Sequence, residues 1–139
     1  MKNLKTRFAV LCLACIFTMS TAAFAFEARA SKYLDMYEID AVSTGGGDIA
    51  IKISVDGTGR MAALGAEEIT IYEKVNGRWM IAGYFDRDDA GMIGTDTYSF
   101  INTIYFSGYS DTEYKVSATI FAENSTGSDS RTQVVYVNT

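Results

Sequence analysis

The sequence predicts an all-β fold, an antiparallel two-sheet β-sandwich of about seven strands. Three observations predict it. From Tyr37 onward apolar and polar residues alternate through most of the chain, the period of a strand with one buried face. Clusters of Gly, Asn, Asp and Ser interrupt that alternation at spacings of roughly ten residues, as turns between short strands do. Between those clusters no stretch repeats its apolar residues with a helical period.

A segment of another kind precedes the strands. "MKNLKTR" carries Lys2, Lys5 and Arg7 and no acid, "FAVLCLACIFTM" carries no charge, and Ala23 and Ala25 are the small residues that a signal peptidase reads. Residues 1–25 are therefore expected to be a cleaved export signal, since their apolar run falls short of the roughly 20 residues that span a bilayer. Neither Cys12 nor Cys15 has a branched aliphatic residue three places before it, as a lipid-anchored cysteine requires. Cleavage takes 25 of the 139 residues and leaves 114, the size of one domain. These divide into a polar lead, residues 26–35, and a sandwich, residues 36–139. The C-terminal run has no sorting motif and no second apolar segment, so a secreted, extracellular protein is expected.

Composition then removes whole classes of chemistry. The chain has no histidine and no proline, and its two cysteines both lie in the signal. The exported domain thus makes no disulfide and is held together by burial. It has no Ser-His-Asp triad, no Cys-His pair, no zinc site of the usual ligands and no haem ligand set. Losing three positive charges moves the net charge from −5 to −8, and so acidic a domain is repelled by nucleic acid and by anionic membranes. The expectation is no cofactor, no nucleic-acid partner, and no membrane contact after signal cleavage.

Each strand has its own pattern. "YEIDAVST" alternates Tyr37, Ile39 and Ala41 with acids, which suits a half-buried edge. "DIAIKISVDGTG" puts Ile49, Ile51, Ile53 and Val55 on one face and ends in a turn at Asp56-Gly57. "EITIYEKVNGRWMIAGYF" is a hairpin around Asn76-Gly77. A two-residue turn there would pair Lys74 with Trp79 and put Ile69 and Ile71 on the face opposite Trp79 and Ile81. A three-residue loop, Val75 to Gly77, with Gly77 left-handed in a bulge, pairs Ile71 with Ile81 and Glu73 with Trp79. Only this second register collects Ile69, Ile71, Trp79 and Ile81 on one face, so the sequence predicts the bulged loop and a core Trp79. "TYSFINTIYF" alternates Tyr98, Phe100, Ile104 and Phe106, with Asn102 the odd member. "EYKVSATIFA" alternates Tyr114, Val116, Ala118, Ile120 and Ala122, and "RTQVVYVN" closes the chain.

"ATIFAENSTGSDS" resembles the second-last strand and following turn of fibronectin type III domains, a run of alternating apolar residues and then Ala-x-Asn-x-x-Gly-Ser. Ala122, Asn124, Gly127 and Ser128 occupy those positions. Gly127 supplies a positive φ for the hairpin, and Asn124 bonds its own backbone to start the turn. Counting back from Ala122, the family's strand-initial tyrosine falls on Val116, with Tyr114 two residues earlier. The resemblance implies an immunoglobulin-like sandwich. The signal, "VDGTG", "GAEEITIYEK", "RWMIAGYF" and "EYKVSATIFAENSTGSDSR" together resemble a group of small exported proteins of Gram-positive anaerobes, a group without an assigned activity. That likeness implies export and fold but no reaction.

Candidate sites are few. Tyr72, Tyr105 and Phe121 alternate out of step with the inward sets, so they are expected on outer faces, where exposed rings would stack on a glycan or anchor a protein. "DRDDAGMIGTD" places Asp86, Asp88 and Gly91 at the first, third and sixth positions of a calcium loop, beside Asp89. Its fifth position is Ala90 and its twelfth is Thr97, so a solvated acidic loop is expected and no metal. "TGGGD" has the glycines of a phosphate cradle but leads into a strand, which makes it a flexible turn. Asn124-Ser125-Thr126 fits a glycosylation sequon and is expected to serve as turn chemistry.

Two functions follow. The first is an exported non-catalytic binding module for a protein or glycan, acting through loops at one end of the sandwich or through the outer aromatics. The alternative is a small carboxylate-dependent glycoside hydrolase using two acids among Asp86, Asp88, Asp89 and Glu123, which requires two carboxyl groups roughly 5–10 Å apart in a cleft. A subunit of a surface assembly, pairing through strand edges, is a third possibility.

Overall fold

The computed structural model describes residues 31–139, so the expected signal and the first residues of the lead lie outside the described part. Six strands follow one another: β1 (Leu34–Gly45), β2 (Asp48–Val75), β3 (Arg78–Asp86), β4 (Ile93–Ser107), β5 (Glu113–Asn124) and β6 (Gly127–Asn138). All are antiparallel and belong to one sheet. The all-β antiparallel fold is as expected. The count of about seven is not, and the reason is β2. The segments beginning at Asp48 and at Glu68 were read as two strands, but they are one strand of 28 residues. The expected turn at Asp56-Gly57 is instead an irregularity in the ladder between Asp56 and Met61, where the chain bends without leaving the sheet.

That single strand ties two half-sheets together. Its first half pairs with β1 on one side and β4 on the other. Its second half pairs with β3 and β5, and β5 with β6. The sheet curls so that the inner rows of both halves meet. Ile49, Ile51, Ile53 and Val55 from the first half, and Ile69, Ile71, Val116, Ala118 and Ile120 from the second, form one core with no exposed surface. Phe106 of β4 and Tyr114 of β5 touch edge-to-face across it, with ring centroids 5.8 Å apart. The curl brings β1 back to β6, where the Ile39 amide donates to the Gln133 side chain at 2.9 Å. The lead takes part as well: Tyr33 and Leu34 are core residues, and Ser31 Oγ donates to Asp129 at 2.7 Å.

Three local features explain what the alternation left open. Tyr114 is fully buried, and its hydroxyl accepts the Tyr109 amide at 2.7 Å. This is a tyrosine corner, made two residues before the position the fibronectin-like motif indicates. Asn102, the polar member of an apolar row, donates from Nδ2 to the Gly91 carbonyl at 2.8 Å, which holds the β3–β4 loop over the core and seats the buried Met92. At the last hairpin Asn124 Oδ1 accepts both the amide and the hydroxyl of Thr126, at 2.8 and 2.7 Å. There the Tyr33 hydroxyl lies 2.6 Å from where a Gly127 side chain would begin.

The β2–β3 hairpin corrects the expected register. Val75 pairs with Arg78 and Lys74 with Trp79, so the turn is the two-residue Asn76-Gly77. Both residues have positive φ, 50° and 77°, the type I′ geometry whose twist matches that of the strands. The bulge lies further on, at Ala82, because Tyr72 pairs with Ile81 and Ile71 with Gly83. This shift keeps Ile69 and Ile71 inside, opposite Phe85 and Gly83, while Trp79 and Ile81 turn outward. Gly83 has no side chain because the Phe106 ring fills that space, 2.7 Å from where a Cβ would be. Trp79 is therefore not a core residue, and the tight turn and the inward isoleucines coexist.

Candidate functional site

Outward-facing side chains of β3, β2, β5 and β6 build the candidate site. The ladder aligns Ile81, Tyr72, Lys115 and Tyr136 in one row across the four strands, with Trp79 and Lys74 in the next. Side chains directly opposite in an antiparallel ladder share a face, so the backbone alone places these residues together. Lys115 Nζ lies 4.3 Å from the centre of the Tyr72 ring and 5.2 Å from that of Trp79, a cation held between two π-faces. Lys74 Nζ lies 5.4 Å from the Trp79 ring and donates to Glu113 at 2.7 Å. Trp79 reaches over β2 and β5 to meet Tyr136, with centroids 5.9 Å apart.

The platform leaves much apolar surface uncovered. Ile81 is 70% exposed, Tyr136 61% and Val134 48%. These residues are not part of the core cluster, which already closes on the other face of the same strands. Tyr84 continues the surface toward the β3–β4 loop. Its phenol titrates above the usual value, first because the hydroxyl is partly desolvated and then because Glu68 and Asp86 are close. The surface thus runs from aromatic and cationic at the hairpin to acidic at the loop.

Only one of the three expected aromatics belongs to this platform. Tyr72 is in it. Tyr105 is 68% exposed but lies on the other half-sheet, in a row with Ala50 and Val42. Phe121 points outward yet is only 3% exposed, because the Arg87 guanidinium covers it at 4.7 Å from the ring centre. Opposite Phe121 lies Gly65, where a side chain would strike the Met92 carbonyl. The expectation of an exposed Phe121 is therefore corrected.

The acidic loop is occupied with its own backbone. Asp86 Oδ1 accepts the Asp88 amide and Asp89 Oδ2 accepts the Asp86 amide, each at 2.9 Å. Glu123 accepts Arg87 at 2.8 Å, the same arginine that shields Phe121. Among the described residues no three acids converge as a metal site. A depression of about 410 Å³ lies between Ile81, Ala82, Phe106, Tyr109 and Tyr114. Glu73 is its one carboxylate, so Asp86, Asp88, Asp89 and Glu123 do not face it.

Neither a protein-family model nor a curated protein matches this chain. Among solved structures it is similar to Spo0M, a sporulation control protein from Bacillus subtilis, at 8% identity and a TM-score of 0.43. The match covers 76% of this chain and 50% of that one, so this chain spans half of its length. A likeness of that degree assigns no function.

Sequence reasoning missed Trp79, Ile81 and Tyr136 as members of the site. For Trp79 and Ile81 the cause was the register. The signal was present in Asn-Gly itself, the residue pair that a type I′ turn requires. Tyr136 had a signal too, since it alternates out of step with Val135 and Val137 in the last strand.

Proposed function

We propose that this chain is an exported, non-catalytic binding module that holds a protein or glycan of the cell surface against the outer platform of β3, β2, β5 and β6. The observation that carries the reading is the cluster of exposed Ile81, Tyr136 and Val134 around the half-buried Trp79, on strands whose other face is already closed. A surface of this kind stabilises nothing in the free domain, and contiguous exposed apolar area marks interaction sites. Export is supported by the pattern of residues 1–25. The immunoglobulin-like reading of the fold is supported by the Asn124 turn and by the tyrosine corner. The carboxylates of Asp86 and Asp89 accept turn amides and ion pairing holds Glu123, which weighs against a glycosidase.

Sedimentation of the chain without its signal against purified cell walls and insoluble glycans tests the proposal. Trp79 is the chain's single tryptophan, so its emission reports contact at the platform directly. Replacing Trp79 or Tyr136 with Ala should weaken binding about thirtyfold each, the effect of a hot-spot residue of roughly 2 kcal/mol, while Tyr105→Ala leaves it unchanged. Protease treatment of the walls abolishes binding of a protein ligand and spares a glycan. Binding indifferent to Trp79 and Tyr136, or no binding to any of these materials, would overturn the proposal.

A further inference from the structure

We infer that the free edge of β4 is a pairing edge for a second copy of this chain, forming a two-fold antiparallel dimer centred on Thr103. This is independent of the platform, which lies on the other half-sheet. Along Ser99–Ser107 β4 is hydrogen-bonded to β2, and among the described residues β2 is the one strand with which it forms a ladder. Alternate residues of β4 therefore turn their N–H and C=O groups to an open edge, and the chemistry that satisfies such a row is another strand.

The other edges carry the features that discourage pairing. β1 holds Asp35, Glu38 and Asp40 and meets β6 through Gln133. β3 begins at Arg78, ends at Asp86 and is interrupted by the Ala82 bulge. β6 carries Asp129 and Arg131. In contrast, the Ser99–Ser107 part of β4 lies within Thr97 to Ser110, a run of 14 residues without a charge, in a chain that also lacks proline. Nothing in that run blunts its edge.

Self-complementarity selects a second copy as the occupant. In a two-fold antiparallel pair only the axial residue meets its own copy and the others pair symmetrically about it, so an uncharged stretch that is apolar on both sides of its centre is complementary to itself. Ser99–Ser107 of β4 is such a stretch, and it meets itself without bringing any charge to the seam. With the axis at Thr103, Ile101 lies opposite the second copy's Tyr105 on the outer face. Both are strongly exposed in the single chain, 65% and 68%, and an aromatic beside a β-branched residue is a favourable cross-strand pair. On the inner face Phe100 comes opposite the second copy's Phe106, and on the outer face Ser99 comes opposite its Ser107, so the register uses the whole stretch paired to β2.

Sedimentation velocity of the chain without its signal, from micromolar to near-millimolar concentration, should show a monomer–dimer equilibrium. Thr103→Lys places like charges across the axis and should weaken dimerisation at least about tenfold, with circular dichroism unchanged. Thr103→Asp should do the same, and an equimolar mixture of the two variants should recover the dimer. Amide exchange in Ser99–Ser107 should slow as concentration rises. A chain that stays monomeric throughout, or a dimer indifferent to Thr103→Lys, overturns the inference. Failure of the mixture to recover the dimer overturns the axis at Thr103.

Discussion

Replacing Tyr114 with Phe removes one oxygen atom and tests the tyrosine corner directly. The ring stays, and with it the edge-to-face contact with Phe106 at 5.8 Å. What is lost is the bond from the Tyr109 amide, 2.7 Å long, at a side chain with no exposed surface. Among the described residues no buried side-chain polar atom lacks a partner, so the corner belongs to a fully satisfied interior. Removing the acceptor leaves the Tyr109 amide without one, and a stranded, partly buried group costs about 1–3 kcal/mol. For a domain of this size 1 kcal/mol corresponds to roughly 4 °C, so the melting temperature should fall by about 4–12 °C. Urea unfolding followed by far-ultraviolet circular dichroism should show a lower midpoint at an unchanged slope. Tyr136→Phe is the control: among the described residues its hydroxyl meets no hydrogen-bond partner, and the side chain is largely exposed, so stability should not move. A Tyr114→Phe variant within about 0.5 kcal/mol of the parent would refute the corner as a stabilising bond.

Two further predictions bear on the register and on the acid limit of stability. Trp79→Ala should cost less than about 2 kcal/mol in urea unfolding, because the indole lies on the outer face; the bulged-loop register would make it a core residue at about 3–5 kcal/mol. Asp129 titrates below the usual carboxylate value, chiefly because Ser31 Oγ donates to it and secondarily because of Arg131. Its folded value lies below its unfolded value, so its contribution is complete above the unfolded value of about 4 and disappears as pH falls through the folded one. Asp129→Asn should therefore lower stability at neutral pH and flatten the loss of stability below about pH 4. An unchanged acid limb in that variant would show that Ser31 and Arg131 do not hold the carboxylate.

The inner rows were legible because one face of each strand is buried. Ile49, Ile51, Ile53 and Val55, and likewise Val116, Ala118 and Ile120, announce their direction by alternation alone. The Asn124 turn was legible for a local reason, since its side chain bonds the backbone two residues away. The candidate site was legible only at Tyr72. Phe121 alternates as an exposed residue would, and its burial under Arg87 comes from a loop 34 residues earlier in the chain, beyond any local pattern.

By itself the sequence determined the all-β class, the inward rows of β2 and β5, the Asn124 turn and the exclusion of histidine chemistry, all of which depend on residue type and local period. Tertiary structure decided the rest. Whether Asp48–Val75 is two strands or one depends on pairing partners far along the chain, which local glycines permit but do not choose. Which turn closes at Asn76-Gly77 depends on whether a bulge elsewhere in β3 restores the inward face. A single unpaired residue at Ala82 does so, and by the strict two-residue period of a strand it turns Trp79 and Ile81 to the outer face.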